Sequence, residues 1–308
     1  MATTMIGRTR ISAQGPECSA LVYGTWRLLD DAAGAEPAAL VERFHQLIDL
    51  GVTTIDTAEI YGRYMVERAI GAALALDKGL RAKLEIVTKA GIYVPNAFHP
   101  ERKVAFYNAS AARLIKSAEK SLRLMGIDHI DVLLVHRPDW LTDADDTADG
   151  LNRLLRDGKI RSAGVSNYSV HQYELLSTRV DAPLVTNQIQ FSLLHMDPMF
   201  DGTADQCQRH RVRPMAWSPL AQGRLLRDDN EAAVRVQQLC AELSPKYGDA
   251  TVDQLAYAWI MAHPSRPLPV LGSNKIERVL SAARATDIVL EREDWYALWT
   301  AAQGRRIP

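Results

Sequence analysis

Cysteine is scarce in this sequence. Cys18, Cys207 and Cys240 stand far apart, odd in number and without a CxxC pair. That excludes a disulfide framework and a zinc ribbon and fits a reducing compartment. Long apolar runs are missing too. No stretch of about 18 apolar residues occurs, so no membrane-spanning helix is expected. The opening residues 1–8 lack the apolar core of a signal peptide, which makes the cytoplasm the expected location. Charge of one sign is not in excess. The formal net charge is −1, which argues against nucleic acid as a partner. His and Cys do not cluster at ligand spacing, so no metal is expected. Neither phosphate-binding fingerprint occurs: no GxGxxG follows a strand-like run, and GxxxxGK[ST] is absent.

What is present is a regular alternation. Residues 9–20 read as a short hairpin, with Gln14-Gly15-Pro16 as its turn. Eight strand-like runs follow, at 20–23, 52–56, 84–88, 130–135, 160–165, 184–189, 212–217 and 268–271. Apolar residues recur at helical spacing between them. Leu40, Phe44, Leu47 and Ile48 share one face, as do Leu114, Ala118, Leu122 and Met125, where Gly126 is the expected stop. A further helix at about 292–302 lies beyond the eighth unit. Strands alternating with helices imply a parallel sheet, and eight units over one 308-residue domain imply a closed (β/α)8 barrel. The expected fold is thus a TIM barrel spanning 1–308, with an N-terminal β-hairpin and an extra C-terminal helix.

In such a barrel the working face lies where strands end and their loops begin. Every run here ends in polar or small residues. They are Gly24-Thr25-Trp26, Asp56, Lys89, His136, Ser166-Asn167, Gln188, Trp217-Ser218 and Gly272-Ser273. Tyr61 follows the second run by five residues. An acid, an ammonium, an imidazole and a phenol therefore converge. A free phenol, of pKa about 10, is a poor acid at neutral pH, and a neighbouring ammonium lowers that value. Lys89 can supply the ammonium and Asp56 can hold Lys89. His136 can donate a hydrogen bond to a carbonyl. The set suits protonation of an oxygen that is gaining negative charge.

The chain then resembles a known family. The runs are Gly-Val-Thr-Thr-Ile-Asp-Thr-Ala-Glu-Ile-Tyr-Gly at 51–62, Val-Thr-Lys at 87–89 and Leu-Leu-Val-His-Arg-Pro-Asp at 133–139. Further along are Gly-Lys-Ile-Arg-Ser-Ala-Gly-Val-Ser-Asn-Tyr at 158–168 and Thr-Asn-Gln-Ile-Gln-Phe at 186–191. Ala-Trp-Ser-Pro-Leu-Ala-Gln-Gly at 216–223 and Pro-Val-Leu-Gly-Ser-Asn-Lys-Ile-Glu-Arg at 269–278 complete the series. Together they resemble the aldo-keto reductases over nearly the whole chain, and within them the bacterial YdhF-type branch.

The resemblance implies NADPH-dependent reduction of aldehydes or ketones, with Tyr61 as general acid in a tetrad with Asp56, Lys89 and His136. It implies NADPH across the barrel mouth. Trp217 would stack on the nicotinamide, and Ser166, Asn167 and Gln188 would hold its carboxamide. Gly24, Thr25, Trp26 and Asp56 would approach the adjoining ribose. Ser218-Pro219-Leu220-Ala221-Gln222-Gly223-Arg224 would wrap the pyrophosphate. Gly272, Ser273, Asn274, Lys275 and Arg278 would meet the adenosine 2′-phosphate at a helix start. Two departures stand out. Gly272 occupies a place where many members have Lys, and Ser281-Ala282 replaces the usual Glu-Asn pair against adenine.

Trp26, Tyr93 and Trp140, in loops at the mouth, are candidate walls for a small-molecule carbonyl substrate, with Tyr61 and His136 at its base. Packed loop aromatics are the alternative. Arg137 reads either as a substrate contact or as a salt-bridge partner of Asp139. Two other functions remain open: a Schiff-base lyase using Lys89, and an NADPH-binding sensor with little turnover. Oligomeric state is not readable from the sequence.

Overall fold

Strands apolar on both faces need cover on both sides, and this chain provides it by closing the sheet. The computed structural model describes residues 5–97, 100–227 and 230–307. In chain order the strands are β1 (Arg8–Arg10), β2 (Glu17–Ser19), β3 (Val22–Gly24), β4 (Thr54–Asp56), β5 (Glu85–Ala90) and β6 (Ile92–Tyr93). Then come β7 (Phe106–Tyr107), β8 (Ile130–Val135), β9 (Ile160–Ser166), β10 (Asn187–Gln190), β11 (Met215–Trp217) and β12 (Leu268–Leu271). The barrel runs β3-β4-β5-β8-β9-β10-β11-β12 and closes on β3, every pair parallel. This is the (β/α)8 architecture expected from the alternation.

The hairpin β1–β2 is antiparallel, with Thr9 opposite Cys18. Ile11 and Cys18 pack with Val22, Met215 and Leu268, near the starts of three barrel strands. The hairpin thus stoppers the end opposite the site. Around the barrel, the helix Ala111–Met125 shows how the local sequence sets an element. Ser110 caps its start by accepting from the Arg113 N–H. Leu114, Ala118 and Met125 are buried, and Gly126, at φ 65°, ends it as expected. The helix Arg292–Gln303 lies beyond the eighth unit, with Leu298 and Trp299 buried near Trp259.

Three expectations are corrected. The sixth strand is Asn187–Gln190 rather than 184–189, and the seventh is Met215–Trp217 rather than 212–217. Leu184 and Val212 are buried, so their apolarity marks the approach to the strand and not the strand itself. The segment after Lys89, read as a loop, carries the β6–β7 hairpin, with Tyr93 opposite Phe106. Two-residue strands are too short for alternation to register.

Candidate active site

Register brings the strand ends together. Asp56 pairs with Gly24 on one side and Val87 on the other, while Lys89 lies two residues further along β5. Gln188 pairs with Ser166 and Met215. Tyr61 opens a short turn, Tyr61–Tyr64, in which Gly62, Arg63 and Tyr64 have φ of 54°, 53° and 71°. Left-handed backbone at two non-glycine residues costs energy, and here it bends the chain so that Tyr61 points back into the mouth.

The tetrad is assembled. Lys89 Nζ donates to Asp56 Oδ2 at 2.8 Å, to the Thr57 carbonyl at 2.8 Å and to Tyr61 Oη at 3.0 Å. Lys89 is 1% exposed and Asp56 2%. The His136 and Tyr61 rings meet edge to face with centroids 6.1 Å apart. Trp26 meets Tyr61 the same way at 4.9 Å. Burial acts on each group differently. It would discharge Lys89, but Asp56 and Tyr61 outweigh it and hold the ammonium above its ordinary range. His136 is pushed well below its ordinary value, by burial first and then by Lys89 and Arg137, so it is a neutral imidazole. Tyr61 departs from expectation. Burial raises its phenol above the usual value, and Lys89 opposes that rise without reversing it. At neutral pH Tyr61 is therefore a phenol with a proton to give, beside a permanent cation.

That geometry bears on the lyase alternative. A Schiff-base lysine must lose its proton and reach substrate. Lys89 is held charged by three acceptors and has no exposed side-chain surface.

A cleft of about 710 Å³ opens above the tetrad. Gly24, Trp26, Asp56, Tyr61, His136, Arg137, Ser166, Asn167, Gln188 and Trp217 line its inner part. Ser218, Pro219, Leu220, Gln222, Gly223, Gly272, Ser273 and Arg278 continue it outward. Polar side chains fix this wall. The Trp217 indole N–H donates to Asn167 Oδ1 at 3.0 Å, and Asn167 Nδ2 donates to Ser166 Oγ at 2.7 Å. Ser166 Oγ in turn donates to the Gln188 carbonyl at 3.0 Å. Asn167, Ser218, Ala221 and Gln222 all have left-handed backbone, which folds the 218–223 segment into a cradle. Arg137 lines the cleft 5.8 Å from the Trp217 ring. Asp139 accepts instead from the Ala109 and Leu141 N–H groups and the Thr142 hydroxyl. No Arg137–Asp139 bridge occurs among the described residues.

Several expected residues lie elsewhere. Thr25 and Ala221 are fully buried behind the wall, Thr25 donating to the Asp56 carbonyl. Arg224 bonds back to the Ala221 carbonyl. The Asn274 amide donates to the Arg27 carbonyl and accepts from Tyr23. Lys275 is exposed and off the cleft wall. Gln188 lines the cleft, but its amide nitrogen donates to Asp56 Oδ1 at 2.7 Å. Tyr93 is not in the cleft. It stacks on Phe106 and lines a separate cavity. Trp140 is 77% exposed and is not on the cleft wall. Tyr93 belongs to the β6–β7 hairpin, and Trp140, on the loop after β8, lies against Tyr107 of that hairpin. Sequence reading missed Tyr257, Asp253 and Glu277, which line the far end of the cleft with Ser281. They sit on helices after β11 and β12; Asp253 and Tyr257 have no local motif, and Glu277 lies inside the 269–278 run without a role marked for it. Among the described residues no group of three or more His, Cys, Asp or Glu is placed to hold a metal.

Comparison with known proteins agrees with this geometry. Residues 20–302 match the aldo/keto reductase family. The chain is 43% identical to the oxidoreductase YdhF of Escherichia coli, over 99% of this chain and 100% of that protein. It is 41% identical to a 6-dehydroglucose reductase of Agrobacterium fabrum, covering 94% of this chain and 96% of that one. Among solved structures, a thermostable aldo-keto reductase bound to the inhibitor epalrestat superposes with a TM-score of 0.80 at 27% identity. That match covers 96% of this chain and 100% of that one. With the family match over residues 20–302 and relatives aligned over nearly its whole length, this chain belongs to the aldo/keto reductase family.

Proposed function

We propose that this protein reduces small aldehydes and activated ketones to alcohols with NADPH, and that Tyr61 supplies the proton. The observation that carries the reading is the 3.0 Å hydrogen bond from the Lys89 ammonium to the Tyr61 hydroxyl at the floor of the cleft. NADPH, when bound, supplies the hydride. As the carbonyl oxygen gains charge, Tyr61 gives it a proton, and Lys89 stabilises the phenolate left behind. Asp56 keeps Lys89 in place. Neutral His136 donates to the carbonyl oxygen and orients it. The Gln188 bond to Asp56 fixes the carboxylate from its other side.

The cleft fits the cofactor at most points. Trp217, pinned by Asn167, offers a flat platform for the nicotinamide, and Ser166 and Asn167 lie beside it to take the carboxamide. The 218–223 cradle suits the pyrophosphate. At the adenosine end, Arg278 and Ser273 are on the wall, while Asp253 and Glu277 share it. Preference for NADPH over NADH therefore rests chiefly on Arg278.

The substrate end is bounded by Trp26, 61% exposed, and by Arg137. An aromatic wall with one cation suits an uncharged or singly anionic carbonyl compound. The relative named 6-dehydroglucose reductase supports including neutral sugar aldehydes. A cytoplasmic, bacterial setting is supported by three buried, unpaired thiols and by bacterial relatives.

The deciding experiment incubates the protein with NADPH or NADH and a panel of aldehydes, dicarbonyls, ketones and sugar aldehydes, and follows cofactor absorbance. Carbonyl-dependent NADPH consumption is expected. Tight NADPH binding with no consumption across the panel would favour the sensor reading instead.

A further inference from the structure

A second cavity, of about 340 Å³, lies outside the barrel between the Tyr61–Tyr64 turn, the β6–β7 hairpin and the helix Ala111–Met125. It shares no lining residue with the reaction cleft. Six cations line it: Arg68, Arg102, Arg113, Lys116, Lys120 and Arg123. The only carboxylate on its wall is Glu59, already engaged by Arg113 at 2.7 Å and Lys120 at 3.5 Å. The wall thus carries a formal excess of five positive charges. Arg68, Lys116 and Arg123 have no ion pair among the described residues.

Two details show a built site rather than a solvated charged face. Arg113 is only 8% exposed, yet its Nε has no hydrogen-bond partner, and Arg102 Nη1 is also buried and unpartnered. A buried donor left unmade is costly, more so on a charged group. Both guanidiniums are held against the Tyr93 ring, at 4.0 Å for Arg102 and 3.9 Å for Arg113. That packing brings like charges together and fixes their forks in place. A multivalent anion relieves the repulsion and satisfies the free donors together. Guanidinium forks match the oxygens of a phosphate.

We propose that this cavity binds a phosphate-bearing small molecule at a site separate from the cofactor cleft. The site backs onto the tetrad's own loop. The Glu59 N–H donates to the Lys89 carbonyl at 3.1 Å, and Glu59 stands two residues before Tyr61.

The test is a calorimetric titration of inorganic pyrophosphate into the NADPH-saturated protein, at ionic strength held constant with chloride. It is repeated without NADPH, so a protein that takes no NADPH still gives an answer. Saturable one-site binding is expected with NADPH bound; without NADPH the same site is expected, with the 218–223 cradle open to a second. Arg68→Ala with Lys116→Ala removes two exposed, unpaired cations and should weaken binding at least about tenfold. Arg278→Ala, in the other cleft, should leave it within about twofold. Failure to saturate, equal binding by the double variant, or loss of binding when NADPH is present would overturn the proposal. Inorganic phosphate and glucose 6-phosphate are then compared. Tighter binding of the ester names a phosphorylated metabolite as the occupant, equal binding names the free anion, and either supports the site.

Discussion

Tyr61 shows what a single residue reveals and conceals in sequence. Its place after the second strand, with Lys89 and Asp56 at neighbouring strand ends, is legible from spacing. Its protonation is not. Burial raises the phenol, Lys89 lowers it, and burial prevails. Reduction needs the protonated form, so its single-turnover rate should stay level from pH 7 to about 9 and fall only above the usual phenol value of about 10. Oxidation of the alcohol needs the phenolate and should rise steadily over the same range. A fall in reduction centred near pH 8 would show that Lys89 prevails after all. Arg278 carries a second prediction. As a cation on the cleft wall just after β12, it is assigned the 2′-phosphate. Losing a charge-assisted contact costs about 1.5–3 kcal/mol, so Arg278→Ala should weaken NADPH about ten- to a hundredfold and leave NADH nearly unchanged. Cofactor titrations by fluorescence check this, and equal losses for both cofactors would remove Arg278 from that role. Gln188 marks a limit of reading. Its contact with Asp56, far away in sequence, is created by barrel closure and has no local signal.

At the scale of elements, the strand ends were readable because a buried parallel strand is a continuous apolar run that stops abruptly at the mouth. Asp56, Lys89 and His136 each end such a run. The 92–107 segment was not readable, since a hairpin of two-residue strands leaves no period, and Tyr93, read as a loop residue, instead stacks on Phe106. Helix packing depends on a glycine that no motif marks. In the helix Val66–Leu76, a Cβ at Gly71 would stand 2.0 Å from the Leu124 carbonyl oxygen and 2.8 Å from the Met125 Cα. These are backbone atoms and cannot swing away. Gly71→Ala should therefore push this helix from Ala111–Met125, and overpacking of this kind costs about 1–3 kcal/mol despite alanine's better helix propensity. Urea unfolding measures it. A variant as stable as the parent would mean that the two helices slide apart freely.

At the scale of the whole molecule, eight-fold alternation made the closed barrel legible, while the basic outer cavity was not. Its cations come from separate elements and meet only in space. Another buried charge links barrel and helices. Glu67, 1% exposed, accepts from Thr88 on β5 at 2.7 Å and from Ser121 on the helix Ala111–Met125 at 3.0 Å. Burial raises its carboxyl to about 7, against those two hydrogen bonds. A carboxyl raised on folding binds more protons folded than unfolded between its two values. Stability then falls as pH rises through that window, and the cost is complete above about pH 7. Glu67→Gln keeps a partner for each hydroxyl without the charge. It should gain about 1–3 kcal/mol over the parent at pH 8, and little at pH 4.5. Chemical unfolding at the two pH values checks this, and a gain independent of pH would place the effect elsewhere.

The central step of the proposed reduction is the proton assigned to Tyr61. Tyr61→Phe keeps the ring, its edge contacts with Trp26 and His136, and the shape of the cleft. The rate of a single turnover of carbonyl reduction, with NADPH already bound, isolates chemistry from cofactor release. The variant should bind NADPH nearly as the parent does and lose at least about a hundredfold in that rate, the scale of a positioned general acid. A Tyr61→Phe protein that reduces its substrate at the parent rate would show that the proton comes from another group.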